Sequence, residues 1–98
     1  MGNRNLNQSM EDTILFKDIS SSLGTRDLGG RVRVDIINKI RENDKVYLDF
    51  SGVDVVTNSF ADECFRKLRE SVNNDIFKSK VAFINANDFV QRVIISAL

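Results

Sequence analysis

The chain has 98 residues, of which 42% are hydrophobic and 29% charged, a composition typical of one folded domain and not of a disordered chain. Fourteen basic and fourteen acidic side chains cancel, so the overall positive field of a typical nucleic-acid binder is missing and nucleic acid is not an expected partner. No apolar run approaches the roughly 20 residues of a membrane helix, and the start, MGNRNLNQSM, lacks the apolar core of a secretory signal.

The first predicted elements are a polar start, a strand and a helix. Residues 1–11 have no apolar period and predict a flexible tail or a weak edge strand, so the folded α/β domain is expected to span residues 12–98. Residues 13–19 (TILFKDI) predict a strand, and a loop follows. Thr25 is then the predicted N-cap of a helix of about 16 residues, because apolar residues recur every four positions after it.

Two adjacent glycines lie in the first turns of this helix. Gly29 and Gly30 each weaken a helix by roughly 1 kcal/mol relative to alanine. Either the helix begins later than Thr25, or another part of the chain packs close to this backbone.

The rest of the chain is organised around residues 46–68. Residues 46–50 alternate as a buried strand does, and Ser51 and Gly52 break that strand. Residues 57–59 (TNS) supply three good N-cap types, and a helix is predicted to follow them. Its apolar face is formed by Phe60, Ala61, Cys64, Phe65 and Leu68. Asp49 is expected to hydrogen-bond the turn at Ser51 and Gly52, and Cys64 is expected in the core.

The remaining residues predict a third strand and a final helix. Residues 73–80 look like a polar connection with a small apolar island, and residues 81–84 (VAFI), which carry no charge, predict a strand central in the sheet. Residues 85–88 offer caps for the last helix. Strands that alternate with helices predict a small sheet of three to four mainly parallel strands with three helices on one or both faces. The loop at residues 51–59 would then lie at the carboxyl ends of the strands, where ligands bind in such folds.

Residues 48–63, LDFSGVDVVTNSFADE, resemble the signature of STAS domains, the fold of bacterial anti-sigma factor antagonists. More closely, they resemble a small STAS-like group of bacterial domains, in which a strand ending Asp-Phe-Ser-Gly-Val leads to Ser-Phe-Ala-Asp-Glu. Residues 25–29 (TRDLG) are similar to the helix start of that group. The resemblance therefore implies that the glycine at position 29 belongs to the family pattern. The resemblance covers roughly residues 13–98 and implies a STAS-like fold.

The resemblance also bears on regulation. In anti-sigma factor antagonists the matching loop reads Asp-Ser-Ser-Gly, and a partner kinase of the ATPase fold phosphorylates the first serine. The corresponding residues of this chain are Thr57, Asn58, Ser59 and Phe60. Because Asn58 cannot accept a phosphate, the chain is either a constitutive binder or uses Ser59 or Thr57 as its phosphorylation site. The residues alone favour a simpler role for Ser59, as a helix N-cap with Asp62 completing an acidic capping box.

Two functions are compatible with this pattern. The first is a non-catalytic regulatory module that docks on an ATPase-fold kinase or an anti-sigma-like protein. The partner-binding residues it predicts are Ser51, Gly52, Thr57, Asn58, Ser59, Phe60, Asp62 and Glu63. The alternative is a small-molecule, nucleotide or phosphate-binding domain that uses the same helix N-terminus.

Further expectations follow from single residue types. With no histidine and one cysteine, the chain predicts no catalytic residue, no metal site and no cofactor, and it is typical of a reducing cytoplasm. A metal site formed by Asp49, Asp54 and Asp62 would require a convergence that their spacing does not show. The last residues, 93–98, are apolar nearly all round, and they predict a weak homodimer.

Overall fold

The computed structural model describes residues 10–20 and 22–98, and within them three strands form one sheet. The strands are β1 (Glu11–Leu15), β2 (Lys45–Asp49) and β3 (Val81–Ile84). They lie in the order β1-β2-β3, and both pairs are parallel. The predicted α/β fold with a small parallel sheet is therefore confirmed. Residues 1–9, most of the predicted tail, lie outside the described residues.

Four helices accompany the sheet in the described part of the chain. They are α1 (Arg26–Glu42), the continuous helix α2, α3 (Asn74–Lys80) and α4 (Asp88–Ala97). Helix α2 has three parts, which are an α-helical turn (Asn58–Ala61), a π-helical turn (Asp62–Arg66) and a second α-helical turn (Lys67–Ser71). The helix absent from the sequence prediction is α3, which replaces the expected polar connection. Asn73 caps it by accepting a hydrogen bond from the Asp75 N–H at 2.8 Å, and Phe77 buries its ring beside Phe83.

The first strand is shorter than predicted. It ends at Leu15, and the chain turns through a short 3-10 helix (Phe16–Asp18) instead of continuing as a strand to residue 19. Phe16 is fully buried and stacks on Phe50, with ring centroids 4.4 Å apart. The stacked ring fixes this turn against Phe50, the residue that follows β2.

Helices α1 and α2 lie on one face of the sheet. Right-handed crossovers with the strand order β1-β2-β3 place α1 and α2 on the same side. Burial agrees, because Ile14, Val46 and Leu48 share that face and are buried, whereas Thr13 on the opposite face is exposed. The sheet is thus covered on one side by the described residues.

The position of β3 differs from the prediction. Its uncharged sequence predicted a central strand, but β2 is central and β3 lies at an edge of the sheet formed by the described residues. That prediction is wrong, because an apolar run shows that side chains are covered and does not show which strands flank it.

Helix α1 packs closely on α2 at Gly29. The helix does begin after the predicted cap, since Thr25 Oγ1 accepts a hydrogen bond from the Leu28 N–H at 3.1 Å. A Cβ atom on Gly29 would lie 2.9 Å from the Phe60 carbonyl oxygen. The second of the two explanations for the glycines is therefore confirmed: another backbone packs against this turn.

Candidate functional site

The loop between β2 and α2 begins with a tight turn held by Asp49. Asp49 Oδ1 accepts hydrogen bonds from the Ser51 N–H at 2.9 Å and from Asn85 Nδ2 at 3.1 Å, which confirms its predicted role. Hydrogen bonds from Ser51, first from its N–H, and then from Asn85 lower the pKa of the Asp49 carboxyl. Gly52 supplies the left-handed conformation of the turn, with φ of +76°.

Thr57, and not Ser59, caps helix α2. Thr57 Oγ1 accepts a hydrogen bond from the Phe60 N–H at 3.1 Å and donates one to the Gly24 carbonyl at 3.0 Å. The predicted capping role of Ser59 is therefore wrong. Three cap-type residues stand in a row, and the contact with the loop before α1 decides which of them caps. Because both functions of the Thr57 hydroxyl are in use, adding a phosphate there would break the cap.

Ser59 and Asn58 also lie in the first turn of α2, but within the described chain their side chains do not form hydrogen bonds like those of Thr57. Asn58 is exposed and Ser59 is half-buried, and neither side chain has a hydrogen-bond partner among residues 10–20 and 22–98. Both line a groove of about 430 Å³ between the start of α2 and the end of α4. Arg26 and Asp62 line the same groove.

The loop is tied to the domain at two points. Val56 forms a parallel bridge with Leu23, in the segment before α1. Asn87 Nδ2, before α4, donates to the carbonyl oxygens of Val53 at 3.3 Å and Asp54 at 3.2 Å. Between these ties Val55 is 58% exposed. The loop therefore presents an apolar side chain from a fixed backbone.

The structure corrects the prediction for Phe60, whose side chain is fully buried. Its ring lies 5.9 Å from that of Phe65 and 6.5 Å from that of Phe16, centroid to centroid. A partner cannot touch this side chain unless the core opens. The apolar spacing of the helix carried this information, since Phe60 begins the predicted apolar face.

Asp62 and Glu63 are paired within the domain. Asp62 binds Arg26 at 2.8 Å and also Arg66, while Glu63 Oε2 lies 3.1 Å from Arg33 Nη1. Lys67 Nζ lies 3.0 Å from the other Glu63 oxygen. Hydrogen bonds from Arg66 and then Arg26 lower the pKa of Asp62, and those from Lys67 and then Arg33 lower the pKa of Glu63. These carboxylates therefore join α1 to α2.

The π-helical turn in α2 explains the position of Arg33. The Lys67 N–H bonds to the carbonyls of Asp62 and Cys64, which leaves the Glu63 carbonyl without its usual α-helical donor. The Arg33 guanidinium donates to that carbonyl. Neither Arg26 nor Arg33 is predicted from the sequence as a site residue. The only signal was Gly29, which predicts a close neighbour without identifying it.

The site holds no evident catalytic group among the described residues. Its carboxyls have lowered pKa values and are held by guanidinium and ammonium groups, so they are poor proton donors at neutral pH. Cys64 is fully buried, as predicted, and burial raises the pKa of its thiol, so that it is a weak nucleophile. No three metal-ligating side chains come together in the described parts of the chain, and Asp49, Asp54 and Asp62 form no such group.

Comparison with known proteins gives one family match. Residues 29–91 match the family model of a STAS-like domain of unknown function (DUF4325). This range includes most of α1, all of β2, α2 and β3, and therefore the whole loop described above. Neither the curated proteins nor the solved structures contain a significant match. Within the described residues no helix has the length and apolar character needed to span a membrane.

Proposed function

Because the chain belongs to the family of STAS-like domains of unknown function, we propose that it is a non-catalytic regulatory module that docks on a protein partner. The docking surface is the loop between β2 and α2 together with the first turn of α2. The partner that the family resemblance favours is an ATPase-fold kinase or an anti-sigma-like protein in the cytoplasm.

The observation that carries this proposal is the exposure of a loop with a fixed backbone. Val55 is 58% exposed between two ties, and Gly52, Thr57 and Asn58 around it are also exposed. A fixed loop loses little conformational entropy on binding. An apolar centre surrounded by a polar rim is the usual composition of a protein–protein interface. The docking surface is defined by Ser51, Gly52, Val55, Thr57, Asn58 and Ser59.

The other predicted residues, Phe60, Asp62 and Glu63, hold the docking surface on the domain and are not part of it. Phe60 fixes the first turn of α2 to the core, and Asp62 and Glu63 fix the helix to α1 through their ion pairs. Their side chains already have partners, and breaking these pairs on docking would be unfavourable.

If this surface is phosphorylated, we expect the modified residue to be Ser59. Asn58 has no hydroxyl, and the Thr57 hydroxyl is engaged twice, whereas Ser59 Oγ has no hydrogen-bond partner in the described chain. Ser59 shares its groove with Asp62 and Arg26. A phosphate there would compete with Asp62 for Arg26 and add negative charge to the docking surface, which changes the partner that fits.

The experiment compares two exposed valines. The tagged full chain and its variants Val55→Asp and Val34→Asp are incubated with native lysate, and bound proteins are quantified by mass spectrometry. Val34 is 53% exposed on α1, is not one of the residues that define the docking surface, and is the matched control. We expect proteins that bind the wild type and the control to be lost with Val55→Asp. Ser59→Asp should change the same set, and equal capture by all variants would contradict the proposal.

The alternative, a small-molecule or phosphate-binding site, has one observation in its favour. A groove of about 250 Å³ lies at the carboxyl ends of β1 and β2, and its lining includes Lys17, Ser22, Gly52 and Thr57. A thermal-shift panel of nucleotides and phosphates tests it, because a ligand at 100 times its Kd adds about 2.7 kcal/mol of stability. A shift that Lys17→Ala abolishes would favour this function over docking.

A further inference from the structure

The outer edge of β3 has no neighbour among the described residues, although its sequence is that of an interior strand. It reads Val-Ala-Phe-Ile, without the charge, proline or bulge that usually protects an exposed edge. β2 occupies the inner edge, with Val46 opposite Val81 and Asp49 opposite Ile84. Within residues 10–20 and 22–98 no other strand reaches the outer edge. Its outward N–H and C=O groups are therefore available to a further strand.

An apolar groove runs beside this edge, between β3 and α4. Its volume is about 400 Å³, and it is lined by Phe83, Asn85, Ala86, Gln91, Ile94, Ile95 and Leu98. Ile95 is 70% exposed and Leu98 is 39% exposed. An apolar patch that adjoins an open strand edge offers a partner both hydrogen bonds and a surface to bury.

We propose that the second copy of this chain occupies this edge, through antiparallel pairing of the two β3 strands. A two-fold axis perpendicular to the sheet satisfies both open edges in one step and joins the two sheets into one. Because α4 lines the groove next to β3, the same rotation brings α4 of each copy to the interface. Ile95 then lies near the axis and is covered by the same residue of the second copy.

The charge of the groove supports a second copy over a charged partner. None of its lining residues is charged, in a chain of which 29% of residues are charged. Two copies can therefore meet in this groove without placing like charges together within it, and the formal net charge of zero adds no long-range repulsion. The nearest charges beside Ile95 are Asp88 and Arg92, which are of opposite sign and line the neighbouring groove. A partner with acidic or basic side chains would find no complementary charge in the groove.

The size of the patch indicates a weak dimer. One short strand edge and one face of a helix bury on the order of 500 Å² per copy, near the lower limit for a specific interface. We therefore expect dimerisation that depends on protein concentration. This proposal is independent of the docking loop, since none of the docking residues defined above lines the β3–α4 groove.

The first experiment measures mass against concentration by sedimentation equilibrium. The wild type should approach the mass of two chains as its concentration rises. Ile95→Asp should raise the dimer dissociation constant by at least about tenfold, because it places two carboxylates at the axis. Val34→Asp, at an exposed position of α1 outside this groove, should leave the dissociation constant unchanged. A wild type that stays monomeric up to roughly millimolar concentration, beyond the range of most functional dimers, would overturn the proposal.

A second set of measurements locates the interface. Ile95→Cys should form a disulfide-linked dimer under mild oxidation, whereas Val34→Cys should not, and the buried native thiol at Cys64 does not compete. In hydrogen exchange, the outward amides of residues 81–84 should be slower to exchange in the wild-type dimer than in Ile95→Asp. A dimer in which these amides exchange equally fast, or a different protein bound at the groove, would contradict pairing between copies.

Discussion

The two halves of the segment 51–63 look alike in sequence and differ in the structure. Both are rich in polar residues, and both were predicted to bind a partner. Residues 51–59 are mostly exposed, and their backbone is tied down while Val55 and Asn58 face solvent. Residues 60–63 are committed to the domain, through the buried ring of Phe60 and the paired carboxylates of the next two residues.

The difference shows that residue type alone does not identify a binding surface. Asp62 and Asn58 are both hydrophilic, but Asp62 already has two guanidinium partners and Asn58 has no side-chain partner among the described residues. A side chain whose hydrogen bonds are satisfied inside the domain has less to gain from a partner. Only the first half of the segment is therefore proposed as a docking surface.

The largest effect on stability is expected where residues 60–63 pack against α1. Gly29→Ala would place a Cβ atom 2.9 Å from the Phe60 carbonyl oxygen, a backbone atom that cannot move aside easily. Such overpacking destabilises by about 1–3 kcal/mol. Urea denaturation monitored by circular dichroism measures it.

The neighbouring glycine is the matched control. The nearest atoms to a Cβ on Gly30 lie 3.9 Å away, so Gly30→Ala should stabilise α1 by up to about 1 kcal/mol. If the two variants shift the free energy of unfolding in the same direction and by similar amounts, residues 60–63 pack less tightly on α1 than the structure shows.

A smaller effect tests the boundary between the halves. Thr57→Ala removes the α2 cap and the hydrogen bond to Gly24, and should destabilise by about 1–2 kcal/mol. Ser59→Ala removes no hydrogen bond and should change stability by less than about 0.5 kcal/mol. Thermal unfolding of both, with Thr57→Ser as the variant that keeps a hydroxyl, measures the difference. The reverse order would place the cap at Ser59.

The smallest expected effect is the dependence of folding stability on pH. The pKa values of Asp62 and Glu63 are lowered in the folded state, so below about pH 5 the unfolded chain binds more protons and stability falls as pH falls. Between pH 6 and 8 we expect a flat profile, because the chain has no histidine.

Denaturation curves from pH 3 to 8 check this pH profile. The double variant Asp62→Asn with Glu63→Gln should lose stability less steeply in acid than the wild type. An unchanged acid slope would mean that these two ion pairs do not distinguish the folded from the unfolded chain. Some slope should persist, since the pKa values of Asp12 and Asp49 are lowered as well.

The sequence predicted those features that depend on local pattern. The cap at Thr25, a cap within residues 85–88, a strand at about residues 46–50 and the apolar face of α2 follow from periodicity and cap chemistry. Helix α3 was missed because a helix of seven residues with one buried side chain has almost no periodic signal.

The features that could not be predicted depend on contacts between distant residues. Arg33 lies 30 positions before the carbonyl that it binds, and that carbonyl is free only because of the π-helical turn. The choice of Thr57 as the cap depends on Gly24, 33 positions away. The edge position of β3 depends on strand order, which an apolar run does not specify. The docking surface and the phosphorylation site stay predictions.

The burial of Cys64 has a practical consequence for measuring motion in this domain. Its thiol lies within the π-helical turn of α2 and has no exposed surface, so an alkylating reagent reaches it only after α2 has separated from the residues that cover it. Because it is the chain's single cysteine, the rate of alkylation reports this one event. The native protein thus reports its own local unfolding without an added label.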